Sequence, residues 1–197
     1  MRQLQIKLNA KQLRAIDPSL AQQKAAPFPR QQLYFILDNI FDTYNIGGLF
    51  RLADALAVRT IYLCGETTTP PNNRIHKASC GTYKVVAWEY AKTPLHAISK
   101  LKKENPTLTA IAVEQSEKST PYTSLSPTLP FAIVVGNETK GCSNETLNAC
   151  DYVAQIPMWG INKSLNVIVS AAVVAYHFIN TTRNGGDRQG IPIEESQ

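Results

Sequence analysis

Residues able to orient an anionic, sugar-containing ligand gather in three short stretches of the chain. The first runs Asp38-Asn-Ile-Phe-Asp-Thr-Tyr-Asn45-Ile-Gly47-Gly48-Leu-Phe-Arg51. Gly47 and Gly48 allow close backbone approach, and Arg51 lies about one turn into a helix whose Cβ atoms lean back toward Asn45. A guanidinium fork beside a carboxamide suits phosphate and sugar oxygens. The same spacing also fits an Arg51 to Asp54 surface pair at i, i+3. The second stretch, Gly136-Asn-Glu138-Thr-Lys-Gly141-Cys-Ser143, ends on a residue able to cap a helix. Glu138 is a costly place for an unpaired carboxylate, so it either accepts from backbone amides or positions a substrate. The third, Ile156-Pro-Met158-Trp-Gly-Ile-Asn-Lys-Ser164-Leu165-Asn166, offers Ser164 as a helix cap with Asn166 one turn inside.

Other chemistries lack their residues. No GKS or GKT ends the Gly136 loop and no GxGxxG is present, which argues against triphosphate hydrolysis and dinucleotide binding. His76, His96 and His177 are scattered, and Cys64, Cys80, Cys142 and Cys150 show no CxxC spacing. The cysteines read as reduced, mostly buried thiols and the histidines as structural, so no metal site is expected.

Positioning the three stretches requires strands that end where they begin. From residue 33 onward, β-branched and aromatic runs alternate with helical patterns, which predicts an α/β domain with a mostly parallel sheet and helices on both faces. The expected strands are Leu33 to Leu37, Thr60 to Leu63, Val85 to Trp88, Leu108 to Val113, Phe131 to Val135 and Tyr152 to Ile156. Phe131-Ala-Ile-Val-Val135 has no polar residue and reads as a central strand. One helix follows Asn45, with Leu49, Leu52, Ala53 and Leu56 on one face. Another starts at Thr93-Pro94 and ends at Lys102-Lys103. The last, roughly Ser164 to Thr182, has almost no polar face. The sheet can cover one side of it, and a second subunit is the simplest cover for the other.

A chain of 197 residues with 44% hydrophobic and 18% charged residues has enough apolar content for one folded domain. Residues 1–32 hold six basic residues, Arg2, Lys7, Lys11, Arg14, Lys24 and Arg30, against Asp17 alone. They account for the whole formal charge of +5, and read either as a solvated leader or as a nucleic-acid contact arm. Residues 183–197 read as a flexible tail. No secretory apolar segment follows Met1 and no run is long enough to span a bilayer, so a cytoplasmic protein is expected.

Taken in order with their flanking strand and helix patterns, the three stretches resemble the motifs of the SpoU/TrmH family, RNA ribose 2′-O-methyltransferases of the SPOUT superfamily. The resemblance covers roughly residues 33–182. It implies a C-terminal trefoil knot, a rare exception to unknotted chains, and a homodimer with the active site near the subunit interface. It also implies S-adenosylmethionine as cofactor, held by backbone around Val113, Gly136, Ile156, Met158 and Leu165. Matched residue by residue, the catalytic set becomes Arg51, Asn45, Glu138, Ser164 and Asn166. The family's motif arginine has been proposed as general base. A guanidinium resists deprotonation, so the firm expectation for Arg51 is to orient ribose and phosphate. Cys80 in Ala78-Ser79-Cys80-Gly81 departs from the leucine or serine of similar proteins. The short segment before the first strand favours tRNA over rRNA as substrate, and an inactive RNA-binding module is the alternative reading.

Overall fold

The computed structural model describes residues 7–183. Two short helices come first, α1 (Ala10–Ala15) and α2 (Pro18–Ala25). Asn9 and Gln12 form a reciprocal capping box at α1, and Asp17 caps α2 with Pro18 at its first position. The chain continues through β1 (Gln31–Asp38), α3 (Thr43–Ala55), β2 (Val58–Cys64), α4 (Asn73–Ala78), β3 (Ala87–Ala91), α5 (Pro94–Glu104) and β4 (Thr109–Val113). It ends with β5 (Thr120–Pro121), β6 (Phe131–Gly136), α6 (Asn144–Ala149), β7 (Tyr152–Gln155) and α7 (Val167–Arg183).

The seven strands form one sheet in the order β3-β2-β1-β6-β4-β7-β5, and every pairing is parallel. β6 lies between β1 and β4, as its wholly apolar sequence requires. Its alternate residues divide between two cores. Phe131, Ile133 and Val135 face the side covered by α3 and α7, while Ala132 and Val134 face the side covered by α5 and α6. The ring of Phe131 meets Phe178 of α7 edge-on at 5.9 Å, and both side chains are fully buried. Burial of one such side chain contributes about 1.5–3 kcal/mol.

Several sequence expectations shift in detail. β3 begins at Ala87, after a 3-10 turn at Thr82–Lys84, so Val85 lies in the approach to the strand and not within it. β5 was not anticipated, because two residues that include a proline carry no strand pattern. α3 begins at Thr43 with Asp42 as its cap, two residues before Asn45. Asn45, Gly47 and Gly48 are therefore helical and do not form a loop. A Cβ on Gly47 would collide with Ala78 of α4, and one on Gly48 with Ile168 of α7. These glycines let helices approach one another, and no ligand is needed to account for them.

α7 is covered on one side only. Ala171, Val174, Ala175, Phe178 and Ile179 are buried, whereas Val169 and Tyr176 are each 46% exposed. Val174 belongs to the core, and the outward apolar stripe runs through Val169, Val173 and Tyr176. The basic N-terminal segment is ordered over α1 and α2. The Lys84 ammonium donates to the carbonyls of Leu13, Arg14 and Ile16 at 3.3, 2.9 and 2.8 Å, and Arg14 donates to the Cys80 thiol at 3.2 Å. The tail expected over residues 183–197 lies outside the described residues from 184 onward.

Candidate active site

β4, β6 and β7 end side by side, and the loops that leave them enclose a cleft of about 560 Å³. This is the carboxyl edge of a parallel sheet, where α/β folds place their ligands. Val113, Gly136, Ile156, Met158 and Leu165 all line the cleft, as do Glu138, Ser164 and Asn166. Asn45 and Arg51 do not line it.

Asn45 is nevertheless tied to its rim. Its side-chain nitrogen donates to Glu138 Oε1 at 2.9 Å, and its side-chain oxygen accepts from Asn166 Nδ2 at 3.0 Å. One buried carboxamide, 4% exposed, thus joins all three stretches across chain separations of 93 and 121 residues. Asn166 completes the chain of bonds by capping α7, its Oδ1 accepting from the Ile168 amide at 2.9 Å. The cap is therefore Asn166 and not Ser164. Ser164 is exposed on the cleft, three residues before the helix begins, with its amide donating to Asn162 Oδ1 at 3.4 Å. Arg51 is exposed on α3 and makes no ion pair or hydrogen bond among the described residues. The expected surface pair with Asp54 does not form, because Arg30 holds Asp54 at 3.0 Å.

Residues outside the expected set build the walls. Asn137 accepts from the amides of Thr139 and Lys140 at 2.9 and 3.0 Å and donates to the Asn39 carbonyl at 2.8 Å. Glu114 accepts from the Cys142 amide at 2.9 Å, and Gln115 donates to the Lys163 carbonyl at 2.7 Å. Asp38, only 2% exposed, accepts from the Thr146 hydroxyl at 2.9 Å and the Ser143 amide at 3.3 Å. Each stands at or just past a strand end, which was the available signal, but its partner is distant in sequence. A Cβ on Gly136 would collide with the backbone of Gly141 and Cys142, so this glycine is fixed by loop packing. Substitution there disturbs the protein as well as any ligand. Burial, reinforced by Glu114 and Asp38, pushes the Cys142 thiol well above its usual range, which leaves no thiolate nucleophile at this position.

A parallel α/β sheet with a preformed cleft at its carboxyl edge, rimmed by carboxamides and a carboxylate, has the form of a ligand-binding site of the α/β class, and Arg51 lies apart from it on the third turn of α3. The chain matches the SpoU rRNA methylase family over residues 32–176 and belongs to that family. It is 31% identical over 144 residues to the 23S rRNA (guanosine-2′-O-)-methyltransferase RlmB of Coxiella burnetii, covering 73% of this chain and 56% of that one. Among solved structures it is similar to the A. aeolicus TrmH/SpoU tRNA modifying enzyme, with a TM-score of 0.69 and 26% identity over 89% of this chain and 83% of that one. The fold is shared with the methyltransferase AviRb from Streptomyces viridochromogenes in complex with AdoMet, with a TM-score of 0.71 and 23% identity over 80% of this chain and 63% of that one. The chain spans between 56% and 67% of the length of the first curated relatives it matches.

Proposed function

We propose that this chain transfers a methyl group from S-adenosylmethionine to a ribose 2′-hydroxyl of RNA. The observation that carries the reading is the Asn166–Asn45–Glu138 chain of hydrogen bonds at the rim of a cleft lined by all five residues expected to hold the cofactor. The cleft falls within the ordinary size of a small-molecule site, about 300–1,000 Å³. Its lining offers backbone groups of Val113, Gly136, Ile156, Met158 and Leu165 to an adenosine and an amino acid moiety. When bound, the cofactor supplies an electrophilic methyl on a sulfonium.

The remaining work falls to the chain's own side chains. Arg51, free of competing partners among the described residues, is the positioning cation for ribose and phosphate. Its guanidinium would lower the cost of negative charge developing on the 2′-oxygen, whose proton passes to solvent as that oxygen gains the methyl group. Asn45 cannot rotate without breaking bonds to both neighbouring stretches, so it fixes Glu138 and Asn166 relative to α3 and hence to Arg51. Ser164, exposed on the cleft, contributes a hydroxyl able to donate or accept at its mouth.

The reading extends to assembly and substrate. Trp159 and Ile161 are 93% and 103% exposed, and Leu165, Val169 and Tyr176 add further exposed apolar side chains from the cleft loop along α7. A second copy of the chain is the proposed cover, which would put the subunit interface beside the active site. The family resemblance also implies a trefoil knot in the C-terminal part of the chain. The exposed side chains of Lys7, Lys11 and Arg14 support an RNA-contact role for residues 1–32, in a cytoplasmic enzyme. Among the described residues, no helix is long and apolar enough to cross a membrane. tRNA is preferred to rRNA as substrate, in keeping with the high mutual coverage with a tRNA modifying enzyme.

Calorimetry with S-adenosylmethionine in the presence of chelator tests the cofactor assignment, with binding expected and independent of metal. Incubation with unmodified tRNA and rRNA transcripts then tests transfer. Alkali-resistant linkages should appear, at lower enzyme concentration for tRNA. Cofactor binding without such linkages in any RNA would favour a module that has lost catalysis.

A further inference from the structure

A second cavity, of about 350 Å³, lies on the other side of the 137–141 loop from the cofactor cleft. The two share Asn137, Lys140 and Gly141 as a common wall. Phe41 forms one side of this cavity. Phe41 is 49% exposed and has no aromatic partner among the described residues, so its ring is open to a planar ligand beside the carboxyl edge of the sheet.

The exposure of Phe41 does not come from a loose loop. Asn39 sits at φ 53°, donates to Asp38 Oδ1 at 2.8 Å and accepts from the Glu66 amide at 3.0 Å. Its carbonyl accepts from Asn137, and the next amide, that of Ile40, donates to the Thr67 hydroxyl at 3.0 Å. Ile40 is fully buried, and Asp42 on the far side caps α3. The backbone of Phe41 is thus held on both sides while its ring stands in solvent. Around the ring are the exposed side chains of Glu66 and Lys140, neither in an ion pair among the described residues. A flat apolar face with a free acceptor and a free donor at its edge matches the chemistry of one heterocyclic base, which stacks on an aromatic ring and presents polar groups around its rim.

We propose that this cavity binds a single unpaired nucleobase of the RNA substrate, stacked on Phe41 with Glu66 and Lys140 at its polar edge. The proposal rests on the RNA methyl-transfer reading above. The shared wall supports it. Glu138, which bonds Asn45 at the rim of the cofactor cleft, is the neighbour of Asn137, which braces the Phe41 loop. A ribose held at Glu138 would leave its own base or an adjacent one beside the second cavity, across the shared wall at Asn137. Phe41 would then be a specificity-determining residue that acts by stacking, before and independently of methyl transfer.

Saturation-transfer NMR tests this with the full chain, saturating S-adenosylhomocysteine and each of the four ribonucleoside 5′-monophosphates as probes. Base protons of at least one nucleotide should receive saturation in the wild type. Phe41→Ala should weaken that nucleotide about fivefold or more, and Phe41→Trp should retain it. Affinity for S-adenosylhomocysteine should be unchanged in both variants, which also verifies that they are folded. No saturation of base protons in the wild type, or equal saturation in Phe41→Ala, would overturn the proposal. Because the readout needs no turnover, its failure is separable from failure of the methyl-transfer reading, which would appear as intact nucleotide stacking without methylated RNA.

Discussion

Removing the Asn45 carboxamide should uncouple the three functional stretches without removing any side chain that lines the cofactor cleft. Asn45→Ala deletes one neutral hydrogen bond to Asn166 and one bond to the Glu138 carboxylate. A neutral bond contributes about 1 kcal/mol and one to a charged group about 1.5–3 kcal/mol. Glu138 is exposed, so water recovers part of the second contribution, and the expected loss of stability is about 2–3 kcal/mol. For a chain of this length that lowers the melting temperature by about 4–12 °C. Turnover should fall further than stability implies, by about 100-fold, because Glu138 and Asn166 lose their fixed relation to Arg51. Affinity for S-adenosylmethionine should fall less than turnover, since Asn45 does not itself line the cleft although its partners Glu138 and Asn166 do. The measurements are calorimetric melting, titration with cofactor, and methyl transfer at a temperature where the variant is folded. A cycle with Asn166→Ala should show coupling of about 0.5 kcal/mol or more. An unchanged melting temperature, or strictly additive Asn45 and Asn166 variants, would refute the argument that this bond chain holds the site together.

Arg51→Ala should abolish most turnover at unchanged stability and cofactor affinity, and Arg51→Lys should not restore it, because an ammonium lacks the planar fork. Arg30→Ala should cost stability through Asp54 and the Val85 carbonyl and, by freeing Asp54 to pair with Arg51, should lower turnover partly while leaving cofactor affinity unchanged, as melting and activity together would read. If the proposed dimer forms through α7, the wild type should sediment at twice the 21.8 kDa chain mass and Val169→Glu or Tyr176→Glu at the chain mass, whereas Val174→Glu should unfold the protein because that side chain is fully buried. Replacing Lys7 and Lys11 with alanine should weaken RNA binding and flatten its salt dependence by roughly one unit of slope for each lost phosphate contact. Arg14 is a poorer choice for that test because it also holds Cys80. Burial pushes the Cys64 and Cys150 thiols up to about 12, so alkylation followed by peptide mass spectrometry should label Cys80 first.

The strand and helix order was largely legible because the apolar runs are long, and the wholly apolar Phe131–Val135 run could only be a strand covered on both faces. Local reading went astray where tertiary contacts decide. Gly47 and Gly48 have the look of a ligand loop, yet they lie inside α3, which Asp42 caps, and their missing Cβ atoms let α4 and α7 approach. Ser164 had the right residue type for a cap, but Asn166 takes that role while also reaching Asn45. Which valine of α7 faces outward could not be read from a helix apolar on all sides, and Val174 proved to be core. The bracing roles of Asp38, Glu114 and Asn137 were invisible for a similar reason, since Asp38 meets Thr146 across 108 residues and Glu114 meets Cys142 across 28.

The central claim is the site of methylation on RNA. Purified protein would be incubated with methyl-labelled S-adenosylmethionine and RNA from cells lacking this chain, and the RNA digested to nucleosides for mass spectrometry. Label is expected in one 2′-O-methylated ribonucleoside and is lost in Arg51→Ala. Label on a base instead of a ribose would contradict that claim.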